Sequence, residues 1–356
     1  MTLPAIVVLI PAYNEAGSIG ATIDAILTQT RPADHVVVIP NGCTDDTAAI
    51  ARRYPVTVLE LPRLEHRKSE ALNTAWQRYG RDADIIICLD ADTILPPNAL
   101  ADWELELERQ PELGGSSSKF TAQGTGFLGR AQKAEFSAWA DLCLQRGETR
   151  VVSGTGCALR NTALHQVVGR GDRTGPWSYA SQTEDFELTY RLRELDWRCH
   201  VSPTVRAYTD SMKDLRSLWN QRMKWQAGTI EDLMVFGWNP LTWKDWLGQV
   251  AGIAAALVKV LAVYVTAVFA LHGQLSLVWL WLILPLLLSA VEVKRAWRIP
   301  HREWKDVALA ASLLPAEFYS WFRAGLCARS WIDAGISRIT NTTIDRWESQ
   351  HVAEGI

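Results

Sequence analysis

A chain of 356 residues, 48% of them hydrophobic, is long enough for a sizeable core and for more than one structural unit. Thirty-six Lys and Arg against 39 Asp and Glu leave a formal net charge of −3, so there is no global basic field and nucleic acid is excluded as a bulk partner. The six cysteines (Cys43, Cys88, Cys143, Cys157, Cys199, Cys327) form no CxxC pair and have no His at zinc spacing, which points to free thiols in a reducing compartment.

AIVVLI (5–10) reads as a first β-strand rather than a signal peptide, because it lacks a basic n-region and a small-residue cleavage site. A helix-period segment over 18–29 follows, then HVVVI (35–39), the helical DDTAAIARR, VTVLEL (56–61), the helical SEALNTAWQRY and DIIICLD (84–90). Continuous β-branched runs alternating with helices predict strands buried on both faces, hence an α/β domain with a parallel sheet. Such sheets bind ligands at the carboxyl ends of their strands, and PAYNE, PNGCTDD and DAD fall at three of those ends. Residues 114–129 read as a loop-rich connection, 130–146 as helix, VVSGTGCALR (151–160) as a strand with a tight glycine turn, and EDFELTYRLRELDWRCHV as a helix running into a strand.

From about Trp243 the composition changes. Residues 247–271 and 275–293 are each long enough to cross a hydrocarbon core of ~30 Å, and only HGQ separates them, so a C-terminal transmembrane hairpin is expected. The basic loop KRAWRIPHREWK (294–305) should stay cytoplasmic, which places the N-terminal domain, residues 1–230, on the same side. Within the remaining membrane region, 231–356, residues 307–328 admit three placements: re-entrant, interfacial or a third crossing. Lys259, in the middle of the first crossing, needs a partner, and Glu317 or Glu292 is expected to supply it. Twelve of the seventeen tryptophans lie from Trp219 onward, as rings anchored at a bilayer surface would.

Two acidic pairs carry the chemistry. Asp90 and Asp92 follow an apolar strand, and residues two apart in an extended segment point the same way, so both carboxylates can face one hard divalent cation. Two solvated aspartates in a surface turn are the alternative. Glu184 and Asp185 form the second pair, close to the start of a helix. On these residues and on PAYNEAGSI (11–19), NGCTDDT (41–47), KSEALN (68–73), SGTGCALR (153–160), TED (183–185) and QRMKW (221–225), the chain resembles the family 2 glycosyltransferases, inverting nucleotide-sugar-dependent enzymes of the GT-A fold. The last two strings resemble the TED and QxxRW motifs of the membrane-bound branch that includes cellulose, chitin and hyaluronan synthases.

The resemblance implies roles. Pro11, Tyr13, Glu15 and Asn41 would line the base and ribose, Lys68 would meet the base or diphosphate, and Asp92 would hold Mn²⁺ or Mg²⁺ with Asp90 at the metal, the ribose or behind it. Asp185 would be the general base. Glu184 would raise its proton affinity, bind an acceptor hydroxyl or serve only as a helix N-terminal charge. Gly154, Thr155 and Gly156 would shape the acceptor pocket, Gln221 and Trp225 would meet the acceptor, and Arg222 and Lys224 would meet the diphosphate. Two departures stand out: Lys224 occupies the motif's Arg position, and Pro40 and Asn41 replace an acidic pair.

The implied activity is inverting transfer from a nucleotide sugar, UDP by family habit, to a saccharide, lipid-linked or protein acceptor at the cytoplasmic face of a cell membrane. The runner-up is a processive polysaccharide synthase, for which so short an anchor would have to associate as a homo-oligomer to enclose a channel. A catalytically silent nucleotide-sugar-binding membrane protein is the remaining alternative.

Overall fold

The β-branched runs fold as buried strands. The computed structural model describes residues 3–274, 289–340 and 346–354. The chain divides into two compact units, Met1–Gln123 with Trp139–Ser211, and Gly124–Ala138 with Met212–Ile356.

In the first unit, seven strands form one sheet: β1 (Ile6–Ala12), β2 (His35–Pro40), β3 (Thr57–Val58), β4 (Ile85–Leu89), β5 (Leu113–Gln123), β6 (Gly156–Arg160) and β7 (Arg198–Asp210), in the order β3-β2-β1-β4-β6-β5-β7. Pairing is parallel throughout except that β6 runs antiparallel to both β4 and β5. Strand order reverses at β1, which opens a crevice at the carboxyl ends of β1 and β4, where α/β sheets bind ligands. The sheet is flanked by α1 (Ile19–Leu27), α2 (Thr47–Ala51), α3 (Arg67–Ala75), α4 (Ala99–Arg109), α6 (Asn161–Gly169) and α7 (Glu184–Glu194), while α5 (Gly126–Arg146) runs from the second unit into the first.

Three expectations need correction. Residues 113–123 are not a loop-rich connection but the long strand β5. Its GGSSS run has little strand propensity, and packing decides instead: a Cβ on Gly114 would stand 2.7 Å from Trp197 Cβ, Ser116 and Ser117 are fully buried, and Ser116 Oγ donates to Glu106 at 2.7 Å. VTVLEL shrinks to two strand residues at the sheet edge, and the strand expected over 151–160 begins only at Gly156.

The second unit contains α8 (Leu215–Phe236), α9 (Trp243–Leu271), the helical residues 289–296 (α10), α11 (Trp304–Ala311), α12 (Leu313–Thr340) and α13 (Arg346–Glu354). Asp214 caps α8, its carboxylate accepting from the backbone N–H of Arg216 and Ser217 at 2.8 and 2.9 Å. α8 packs on α12 and α13, and α9 packs on α12. The stretch expected over 307–328 is two helices, broken at Ser312.

With 29 residues, α9 is about 43 Å long at 1.5 Å per residue. Its most apolar 18-residue window has a mean hydropathy of 2.3 and none of it is buried, and among the described residues it is the one helix long and apolar enough to cross a membrane. Most of the second expected crossing, 275–288, lies outside the described residues.

Lys259 on α9 meets Glu317 Oε2 at 2.9 Å and lies 5.2 Å from the Trp321 ring centroid, whereas Glu292 pairs with Arg295 at 2.6 Å. Removing one partner strands the other charge on an apolar helix, while removing both does not. Lys259→Leu is therefore expected to lower the yield of folded protein, and Lys259→Leu with Glu317→Leu to restore it. Equal yields for the single and double variants would show that the pair has no such role.

Candidate active site

In the first unit, the crevice gathers side chains from five segments. Asp90 and Asp92 lie in the turn directly after β4. Asp92 Oδ2 accepts from Thr209 Oγ1 of β7 at 3.0 Å, and its Oδ1 accepts from Thr93 Oγ1 at 3.1 Å. Burial first, and the neighbouring Asp90 next, push the Asp92 carboxyl up to about 6. Such a carboxyl ionises at a cost that a cation would remove.

Asp90 instead faces a cation of the protein. Lys68, on the first turn of α3, donates to Asp90 Oδ1 at 2.6 Å and meets Glu184 Oε1 at 3.3 Å. Burial opposes the ammonium, but Asp90 and Glu184 outweigh it and hold Lys68 well above the ordinary lysine value. The residue before it, Arg67, has φ +46°, a left-handed conformation that is costly for a side chain of this kind and is concentrated at functional sites.

Glu184 and Asp185 are the first two residues of α7, where the helix dipole favours negative charge. Asp185 Oδ1 accepts from the Phe186 backbone N–H at 2.8 Å and its Oδ2 from the Gly154 N–H at 3.3 Å. Burial, then Glu184, raise the Asp185 carboxyl to about 6, against the opposing pull of Lys68. Gly154 must stay small: a Cβ there would stand 2.8 Å from Lys68 Nζ, and Lys68 cannot yield without leaving its carboxylates. Thr155 forms a local turn with Ser153, and Gly156 opens β6 opposite Leu89.

The other expected residues lie at or after the ends of β1 and β2. Pro11 lines a cavity with Lys68, Gly154, Glu184 and Asp185. Tyr13 faces Arg63, whose guanidinium is 6.0 Å from the ring centroid. Glu15 accepts from Ser18 Oγ at 2.6 Å, and Asn41, buried after β2, accepts from the Leu64 N–H at 3.1 Å.

Gln221, Arg222, Lys224 and Trp225 belong to the second unit. Arg222 is buried, 4.3 Å over Trp225 and 5.1 Å over Phe136, and donates to Glu135 at 3.0 Å and to Gln221. Tyr319 donates to the same Glu135 oxygen at 2.5 Å. Although burial works against it, Arg222 and Tyr319 keep the Glu135 carboxyl below its ordinary value. Lys224 lies 3.1 Å from the Trp347 ring centroid. The two basic side chains thus take different surroundings, and both are buried.

Sequence reasoning missed Thr209, Glu135 and Tyr319. Each sits between 87 and 184 residues from the group it holds, with no local motif to mark it.

Chemically, the first unit offers a hard oxygen donor at Asp92, a fixed cation at Lys68 and a carboxylate of raised proton affinity at Asp185. The fold is GT-A-like. The mannosyltransferase of Pyrobaculum calidifontis, solved with GDP-Man and Mn²⁺, matches it with a TM-score of 0.57 over 96% of this chain and 89% of that one, at 19% identity. Residues 4–228 match the model of the glycosyltransferase-like family 2, and the chain belongs to that family. A poly-beta-1,6-N-acetyl-D-glucosamine synthase of Staphylococcus epidermidis is 24% identical over 246 residues, and one of Staphylococcus aureus strain MSSA476 is 25% identical over 241. The alignments cover 66% and 65% of this chain but only 57% and 56% of those proteins.

Proposed function

We propose that the protein transfers a sugar, with inversion, from a nucleoside diphosphate sugar to an acceptor hydroxyl, with Asp185 as the general base. The observation that carries this is the pair of opposed charge states in one crevice: a carboxyl raised to about 6 beside a lysine whose charge two carboxylates stabilise. Asp185 takes the proton as the hydroxyl attacks the anomeric carbon, its carboxylate oriented by the N–H groups of Gly154 and Phe186. Lys68 faces the diphosphate as negative charge grows on it. A single displacement with one base inverts the anomeric centre, so an α-linked donor yields a β-linked product.

Asp92, with Asp90 beside it, would hold Mn²⁺ or Mg²⁺. The oxygen donors and the raised Asp92 carboxyl fit a hard cation. Among the described residues no group of three or more His, Cys, Asp or Glu is placed to hold a metal, which suits an ion completed by substrate phosphate and water rather than a protein cage. Such an ion would supply charge stabilisation to a leaving diphosphate. Pro11, Tyr13, Glu15 and Asn41 line the nucleoside, which we take to be uridine. Gly154, Thr155 and Gly156 meet the acceptor.

On this reading α9 spans the cell membrane, with the catalytic domain on the cytoplasmic side. The acceptor is saccharide, lipid-linked or protein. A second reading, repeated transfer to a growing chain, draws on the similarity to the two staphylococcal synthases. Mass analysis of products from labelled donor separates them: one or a few added sugars support the first reading, and a ladder of long saccharides supports the second.

The base must be ionised to act, so activity is expected to fall below the Asp185 value of about 6 and to be flat above it. A kcat/KM profile with its acid limb near pH 4 would show that the acting base does not have the Asp185 environment.

A further inference from the structure

Six free cysteines are described, and two of them are placed in a way that core packing does not require. Cys88 of β4 and Cys157 of β6 are direct partners across the antiparallel ladder. Side chains so opposed have Cβ atoms about 4.5–5.5 Å apart. Both are nearly fully buried, at 3% and 2% exposure, and both belong to the same apolar cluster. As core residues they would need only to be small and apolar. They also line the cavity that Pro11, Lys68, Gly154 and Asp185 line.

We propose that Cys88 and Cys157 form a dithiol site in the wall of this cavity that captures trivalent arsenicals through both sulfurs and so blocks the sugar donor. The capture is a condensation. With phenylarsine oxide, two As–S bonds form, the As=O bond and two S–H bonds break, and the oxygen leaves as water carrying both thiol protons. Arsenic stays trivalent and no charge is created, so burial does not oppose the product.

The remaining cysteines offer no equivalent. Cys43 is half-buried, Cys143 contacts Thr149 Oγ1 at 3.7 Å, and Cys199 shares the apolar cluster with Cys157 but does not line the cavity. Cys327 lies in the second unit. The capture itself depends only on the β4–β6 register. The block of the donor rests on the function proposed above.

The test treats the full-length, detergent-held protein with phenylarsine oxide and reads intact mass. One phenylarsenic per chain is expected, stable to 2-mercaptoethanol and removed by 2,3-dimercaptopropanol. Cys88→Ala and Cys157→Ala should each require about 10²-fold more reagent, the gain in effective concentration that a second attachment point gives, while Cys199→Ala captures normally. Cys157→Ser, close in size, guards against a folding defect, and each variant is checked by thermal melting. An adduct retained equally in a folded Cys157 variant, or none stable to the monothiol, would overturn the dithiol. UDP with Mn²⁺ should slow capture in the wild type. Capture that is intact but indifferent to UDP would overturn the overlap with the donor site and leave the dithiol standing.

Discussion

Asp185→Asn is expected to lower turnover by about 10²- to 10⁴-fold, the usual contribution of a positioned general base, with little change in donor affinity. The same substitution should make the protein more stable at neutral pH. The Asp185 carboxyl is raised from an ordinary value of 3.8 to about 6, so the folded state holds the proton more tightly than the unfolded chain does. The stabilisation this gives is complete below about pH 4 and is lost as pH rises through 6. Above that, the wild type carries a buried ionised carboxylate whose cost exceeds the help from Lys68 and two N–H groups. Asparagine keeps the shape and removes the charge. Its melting temperature should equal that of the wild type near pH 4 and exceed it by a few degrees at pH 7, a trade of stability for activity. Thermal melts across that range check it. A variant less stable at pH 7 than at pH 4, relative to the wild type, would show that the site favours the ionised form.

The second large effect concerns Asp92. Chelation is expected to abolish turnover, with Mn²⁺ or Mg²⁺ restoring it, and Asp92→Asn to lower kcat/KM by about 10²- to 10³-fold, several kcal/mol of charge stabilisation at 1.36 kcal/mol per decade. Calorimetry of UDP binding gives a readout without catalysis: metal-dependent affinity should be present in the wild type and lost in Asp92→Asn. Thr209→Val should shift the metal concentration for half activity without removing the response, because Thr209 orients Asp92 rather than replacing it. UDP affinity that ignores metal in the wild type would contradict the assignment.

Most of the first unit was legible in the sequence because its signals are local. AIVVLI, HVVVI and DIIICLD are buried strands that need no tertiary information to be recognised, and the polar strings after them fall at the crevice because a parallel sheet places them there. β5 was not legible. Its glycines and serines are fixed by Trp197 and Glu106, partners that a local reading cannot see. The same limit applies to the site. Asp90, Asp92 and Asp185 announce themselves as acidic pairs, but that Lys68 would face Asp90 and Glu184, leaving Asp92 to Thr209, follows only from how β4, β7, α3 and α7 meet. In the second unit, the choice of Glu317 over Glu292 for Lys259 likewise depends on which helix packs against α9.

The most direct test of the central claim is nucleoside diphosphate release by the detergent- or nanodisc-held protein over a panel of nucleotide sugars with Mn²⁺ or Mg²⁺, with membrane extract as acceptor and the Asp185→Asn and Asp92→Asn variants alongside. Release specific to one donor, dependent on the metal and lost in both variants, is the predicted result. A labelled nucleotide sugar that binds while no donor is turned over, or release that persists in Asp185→Asn, would contradict it.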